Sequence, residues 1–484
     1  MAEDVVVVGG GLGGICAALK AAELGQRVLL VEAASKLGGT ALHSGGAVHI
    51  WGAESWDEYR AHCPTAPELA RTLVEEFRTF VDWLSSSGAR GSYATVTFRG
   101  VTVPKYQIGD SMMPDAKIAW FSELGRRLER LGGTILFETR ARELLREDGV
   151  VVGVACERNG RKMSVAAREV ILASGGFQRD GELLRTYVGP AAAEIVPRAV
   201  PEAVGDALRM AVAVGAALTP AMGSLYGQLM PAPPCEIRWS NFLDPLLLSA
   251  FYASHSIVVN SDGERFMDEG PSELNGEVLD IATRQPPGGL WAILDEAIRR
   301  EHAVYELPPG SLRPRNLRYS AFLPYFRAHR RGTRPSIGID GLRLSRARGA
   351  TVVVARTIEE LVEKLAGHGL DPVRLGRTIR GYNSALADRS AALDVPSTGG
   401  VPLVTRPYHA IKLAPGVSMT YGGIAIDSRA RVLNTRGAPI PGLRAVPGAA
   451  GGVHDRYYGG MLASCGVFGM IAGAEAASGP ASLG

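Results

Sequence analysis

Asp4-Val5-Val6-Val7-Val8-Gly9-Gly10-Gly11-Leu12-Gly13-Gly14 is the stretch from which the rest of the chain can be read. Four valines in a row make a short β-branched run, suited to a parallel strand buried on both faces. The run passes directly into the spacing G-x-G-x-x-G at Gly9, Gly11 and Gly14. Gly9 allows a tight turn, Gly11 lets backbone approach a pyrophosphate, and Gly14 lets the following helix pack close to the strand. Ile15 to Leu24 has helical spacing and stops at Gly25; Arg27 to Val31 is a second buried strand that ends on Glu32. Strand, glycines, helix, strand and terminal acid in this order read as a dinucleotide site. The helix N-terminus faces the phosphates, and Glu32 can accept hydrogen bonds from the adenosine ribose.

Composition narrows the remaining choices. A chain of 484 residues suggests two or three lobes. Hydrophobic content of 46% and charged content of 21% are those of an ordinary globular protein. The net charge of +3 comes without basic runs, which argues against nucleic acid as the partner. Cys16, Cys63, Cys156, Cys235 and Cys465 are far apart and form no C-x-x-C, so no zinc site and no dithiol redox pair is expected. Their odd number suits a reducing compartment. No apolar run reaches membrane-spanning length, and the acidic start followed by the nucleotide strand is not that of a signal peptide. The expected location is cytoplasmic.

The stretch "VEAASKLGGTALHSGG", from Val31 to Gly46, is dense in small residues that let backbone lie against a flat ligand. It resembles the FAD-binding segment of fumarate reductase and 3-ketosteroid dehydrogenase flavoproteins. Val170-Ile171-Leu172-Ala173 leading into Ser174-Gly175-Gly176 resembles the family's strand beneath the cofactor. "VVNSDGERFMDEG" and "ARTIEELVEKLAGHGLDPVRLGRTIRGYNSA" resemble its cap domain, and "PYHAIKLAPGVSMTYGGIAID" and "GGVHDRYYGGMLASCGVFGMIAG" its last strands and terminal helix. Together these motifs span most of the chain. The fold expected is α/β: a Rossmann-like FAD-binding domain at 1–220 and 401–484, interrupted by an α+β cap domain at 221–400. Trp56 to Gly88 reads as amphipathic helix, and Arg142 to Arg161 as a β-meander with turns at Asp148-Gly149 and Asn159-Gly160.

The resemblance implies FAD held by Gly9, Gly11, Gly14, Glu32, Ala33, Gly38, Gly39, Thr40, Ser44, Gly45, Gly46, Ala173, Ser174 and Gly175, with Gly460 and Leu462 at the terminal helix. His43 stands closer to the glycine pair than the linking histidine of membrane-bound fumarate reductases, so non-covalent FAD is expected. The chemistry implied is hydride transfer between flavin N5 and a carbon beside a carbonyl, with a proton moved at the neighbouring carbon. The acid/base slot departs from the family: where fumarate reductases have arginine and the steroid enzymes tyrosine, Gly270-Pro271-Ser272-Glu273 stands here. Glu273 is either the proton carrier or an exposed loop carboxylate. A family histidine before Gly422-Gly423 is replaced by Ser418-Met419-Thr420-Tyr421. Both losses argue for a fairly apolar ketone, enone or steroid-like substrate rather than a small dicarboxylate. Arg456, Tyr457, Tyr458, Tyr421 and Tyr106 are the other catalytic candidates, with one of the two adjacent tyrosines expected to reach substrate. Tyr106 is either a site residue or a half-buried loop tyrosine. Without C-x-x-C-H for haem, a separate electron donor or acceptor is implied. Isomerase-type chemistry, lost catalysis, or a fumarate reductase-like action on a carboxylate remain as alternatives.

Overall fold

The computed structural model describes residues 3–50, 55–63, 67–88, 90–98, 101–109, 114–238, 243–270, 277–306, 326–331, 334–388, 396, 399–454 and 458–478. The chain divides into two compact units: 1–188, 199–225 and 419–484 form the first, 189–198 and 226–418 the second.

The first unit is built on a sheet that starts from β1 (Glu3–Val8), with α1 (Leu12–Glu23), β2 (Val28–Val31), β3 (Thr134–Leu136), β4 (Arg161–Leu172), β5 (Pro439–Ala445) and α2 (Met461–Ala477). Its parallel strands run in the order β5-β4-β1-β2-β3. β1 is central, and Val5, Val6, Val7 and Val8 are buried, which is why an unbroken apolar run and not an alternating one encodes it. Two antiparallel strands, Thr139–Glu147 and Val150–Arg158, extend from the first half of β4. Asp148 and Gly149 (φ 47° and 86°), then Asn159 and Gly160 (φ 49° and 74°), take the left-handed geometry that tight hairpins require. α1 and α2 approach backbone to backbone: a Cβ on Gly469 would lie 2.4 Å from Gly13 O, and one on Gly473 2.3 Å from Ala17 O. The amphipathic stretch after Trp56 is two helices, Trp56–His62 and Glu68–Ser86.

The second unit is mixed α and β. Its central strand, Tyr408–Thr420, pairs with Val196–Pro197, Leu290–Asp295 and Val352–Ala355. Helices Ile358–Ala366 and Pro372–Asp388 bury Leu361, Leu365, Leu375 and Ile379 in a core with Trp291, Ile293 and Ile411. The sequence boundary expected at 400 lies instead at Ser418. Composition changes near 400, but the strand that follows is hydrogen-bonded into the second unit's sheet along its first half. Among the described residues, no helix is long and apolar enough to cross a membrane.

Candidate active site

The dinucleotide turn is assembled by backbone. Gly9 N donates to Val31 O at 2.8 Å, and Gly38 N to Gly10 O at 2.9 Å. Glu32, buried at the end of β2, accepts from Gly10 N at 2.6 Å and from Ala34 N at 2.7 Å. Burial raises the Glu32 carboxyl, and these two amide bonds oppose the rise. The Ala33 amide opposes the rise as well, and a carboxylate has about four lone-pair sites, enough for these amides and a ribose hydroxyl.

Three of the expected glycines have different jobs. A Cβ at Gly9 would lie 2.6 Å from Ala173 O, and one at Gly14 1.8 Å from Gly9 O, so these two are fixed by packing. A Cβ at Gly11 would meet nothing within 4 Å. The open side of Gly11, like that of Gly45 and Gly175, leaves backbone accessible to a ligand. α1 begins at Gly11 with no side-chain cap, so its first amides are available to phosphate.

The loop from Gly38 to Gly46 lies against the same turn. Gly38 pairs with Gly11, and a Cβ on Gly39 would be 3.6 Å from Gly11 Cα. Ala33 and Thr40 are half-buried beside it. Ser44 Oγ donates to Ala41 O at 2.7 Å and accepts from Gly46 N at 3.0 Å. Buried Lys117 donates to Ser44 O, and Gln107 Nε2 to Gly45 O at 2.9 Å. Sequence reading gave Lys117 and Gln107 no role, since one sits on a helix and one in a strand, each far from the loop in the chain. His43 is buried in the 3₁₀ turn Gly39–His43.

A row of aromatic rings stands at the start of α2. Tyr421 is 5.8 Å from His454 between ring centroids, His454 is 6.4 Å from Tyr458, and Tyr458 is 6.1 Å from His49. The glycine pair before α2 has a steric cause. A Cβ on Gly459 would lie 2.3 Å from the Tyr59 hydroxyl, and one on Gly460 (φ 113°) 1.9 Å from His49 O. Leu462 is half-exposed on the first turn of the helix, which again has no side-chain cap. Tyr106 is buried in the middle strand of a three-stranded sheet, with its hydroxyl end over Gly91. It is thus a buried strand tyrosine, not the half-buried loop tyrosine of the second reading. Arg456, Tyr457 and Glu273 lie outside the described residues.

Buried side-chain atoms of this unit without a hydrogen-bond partner among the described residues include Ser174 Oγ, Thr420 Oγ1 and His454 Nδ1. Thr420 Oγ1 lies at the Gly175-Gly176 turn, 2.5 Å from where a Gly176 Cβ would be. Buried polar groups are normally satisfied. A polar ligand with several hydroxyl and amide groups fits this set, the open glycines and the two uncapped helices. Burial pushes the Cys16 thiol up and that of Cys465 up to about 12, which disfavours their thiolates.

The FAD binding domain family matches residues 4–463. The chain belongs to this family, and FAD is its cofactor. It is 26% identical to the NADH:fumarate oxidoreductase of Klebsiella pneumoniae (strain 342), over 98% of this chain and 47% of that protein. It is 27% identical to the urocanate reductase of Eggerthella lenta, over 98% of this chain and 74% of that one. The chain therefore spans about half the length of the first of these relatives. The 3-ketosteroid Δ1-dehydrogenase of Sterolibacterium denitrificans shares the fold with a TM-score of 0.73 at 21% identity, over 99% of both chains.

Proposed function

We propose that this protein is an FAD-dependent oxidoreductase acting on CH–CH groups, which adds or removes hydrogen across a carbonyl-activated C–C bond of a fairly apolar small molecule. The first unit is read as a Rossmann-like FAD-binding domain and the second as the inserted α+β substrate domain. The observation that carries the reading is the row Tyr421–His454–Tyr458 at the start of α2, inside the FAD-binding unit. A fumarate oxidoreductase and a urocanate reductase among its relatives support redox work on double bonds.

FAD supplies hydride acceptance or donation. Gly11, Gly38, Gly39, Gly45 and Gly175 let backbone lie against it, and Glu32 holds its ribose. The uncapped start of α2 offers positive potential to negative charge forming nearby. Tyr421 or Tyr458 donates a hydrogen bond to the substrate carbonyl oxygen, where charge develops in the transition state. Tyr457, Arg456 and Glu273 remain candidates for the same duties, and Tyr106 for a place at the ring. Electrons exchange with a separate carrier. A carboxylate substrate held by Arg456 is the second reading, favoured by the two named relatives.

Anaerobic screening of enones and saturated ketones for flavin recolouring or bleaching tests the reaction. With a substrate found, Tyr421→Phe, Tyr457→Phe and Tyr458→Phe are compared by stopped flow. The variant that loses the donor should slow flavin reduction by about 10²–10³ with FAD still bound. Near-full rates in all three would remove the tyrosine mechanism. Acid precipitation should release all flavin; yellow colour kept in the pellet would overturn non-covalent binding and point to His43.

A further inference from the structure

His454, on the loop leading to α2, is a buried side chain that the reaction above leaves without a task. Its Nε2 lies 2.6 Å from Ser464 Oγ, and Ser464 Oγ donates its single proton to Gly460 O at 2.9 Å. With that proton committed, the serine oxygen accepts from the ring, so the ring hydrogen sits on Nε2. Burial holds the imidazole at about pKa 4, which keeps it neutral near pH 7. The lone pair is then on Nδ1, which is buried with no partner among the described residues. A neutral acceptor sealed from water and left unbonded is costly in a native interior. Its neighbours point to the donor. Tyr421 and Tyr458 flank the ring. Two further hydroxyls without a partner among the described residues, Ser174 and Thr420, stand at the Gly175-Gly176 turn, and Gly448 of the same loop as His454 backs onto Gly175.

We propose that His454 Nδ1 accepts a hydrogen bond from bound FAD, so that Ser464 and Gly460 set the tautomer that reads the cofactor. An imide N–H of the ring and a ribityl hydroxyl offer the same chemistry. The inference rests on FAD being the cofactor and not on the reaction, and its test needs no turnover.

Protein labelled with ¹⁵N-histidine is recorded without and with FAD, in the absence of substrate, and the His454 signals are assigned with His454→Asn. The Nδ1 resonance, initially that of an unbonded pyridine-type nitrogen, should move upfield when FAD binds. Reconstitution with N3-methyl FAD abolishes the shift if the imide is the donor and preserves it if a ribityl hydroxyl is. In apoprotein titrations, His454→Phe should weaken FAD by about ten-fold or more, while His454→Asn, which keeps an acceptor near the Nδ1 position, should stay within about three-fold. An unmoved resonance overturns the proposal, as does one that moves on addition of substrate alone. So does a folded His454→Phe protein that binds FAD as tightly as its parent. If that variant does not fold, the resonance of the unsubstituted protein decides.

Discussion

Two buried histidines, one in each unit, show two ways of holding a polar group. His454 of the first unit is held neutral by burial, and its Nδ1 has no partner among the described residues. His409 of the second unit is lowered by burial too, but the Glu296 carboxylate at 3.0 Å works against the shift. Glu296 also accepts from Arg299 at 2.6 and 2.7 Å and from Arg300 at 2.8 Å, and Arg299 donates to Asp340 at 2.6 Å. Burial alone would raise the Glu296 carboxyl; its hydrogen bonds from Arg299 and Arg300, with His409, outweigh that and hold it at about 2. The second unit therefore closes this charge cluster on itself. The first keeps acceptors and hydroxyls in reserve at its glycine turns, as a ligand site must. A buried group left open is a cost in the empty protein and a contact in the loaded one.

The largest effect expected is in the closed cluster. Arg299→Met strands Glu296 and Asp340 in the interior, and removing one member of a buried ion set costs roughly 3–5 kcal/mol. The opening free energy of strand Leu290–Asp295, read by hydrogen exchange, should fall by that order. A fall under about 1 kcal/mol would mean that water already reaches the cluster.

Acid should separate the two units next. His454 takes up its proton at about 4 when folded, against 6.5 when free. The unfolded chain binds more protons between these values, so stability is full above 6.5 and declines as pH falls towards 4. The loss reaches roughly 3 kcal/mol. Glu296, moved from 4.5 to about 2, contributes stability that is full above 4.5 and lost as pH falls towards 2. In FAD-free protein, exchange protection of α2 should weaken between pH 6.5 and 4 by more than that of Leu290–Asp295, because Glu296 opposes the lowering of His409, which pairs with that strand. Equal loss in both regions over that range would contradict this difference.

Glu32 is a smaller case on the open side. Glu32→Ala removes a ribose acceptor and also orphans Gly10 N and Ala34 N. FAD affinity should fall by about ten- to a hundred-fold, or roughly 1.5–3 kcal/mol. Titration of apoprotein checks this, and Glu32→Gln, which keeps one acceptor, should lose less. Unchanged affinity in Glu32→Ala would remove Glu32 from the ribose.

The same contrast explains what could be read in advance. Local signals carried through: the valine run, the glycine spacing, and the Asp148-Gly149 and Asn159-Gly160 turns depend on backbone geometry that neighbouring residues dictate. The second unit's extent did not follow from composition, because long-range pairing assigns Tyr408–Thr420 to its sheet. Lys117 meets Ser44 across 73 positions, and nothing in a helix pattern announces such a contact. His454 stood in plain view in "GGVHDRYYGG". The tyrosines and arginine beside it suggested chemistry directly, whereas its own role depends on a tautomer fixed by Ser464, ten residues away.

Between a sealed cluster and the open surface lies Glu23, at the end of α1. It accepts from Trp83 Nε1 at 2.8 Å and from Arg127 at 2.7 Å, tying α1 to helices Glu68–Ser86 and Pro114–Arg130. The side chains of Glu23 and Arg127 are 18% and 25% exposed, so solvent screens much of their attraction. Arg299, by comparison, is 6% exposed and Asp340 fully buried. If burial sets the scale, Glu23→Gln, which keeps the bond from Trp83 and removes the charge, should cost no more than about 1 kcal/mol. Added salt should shrink the difference further, because partly exposed pairs are screened. Hydrogen exchange of α1 in parent and variant measures it. A loss as large as that of Arg299→Met would show that the number of partners, and not their removal from water, governs how much these ion pairs stabilise the fold.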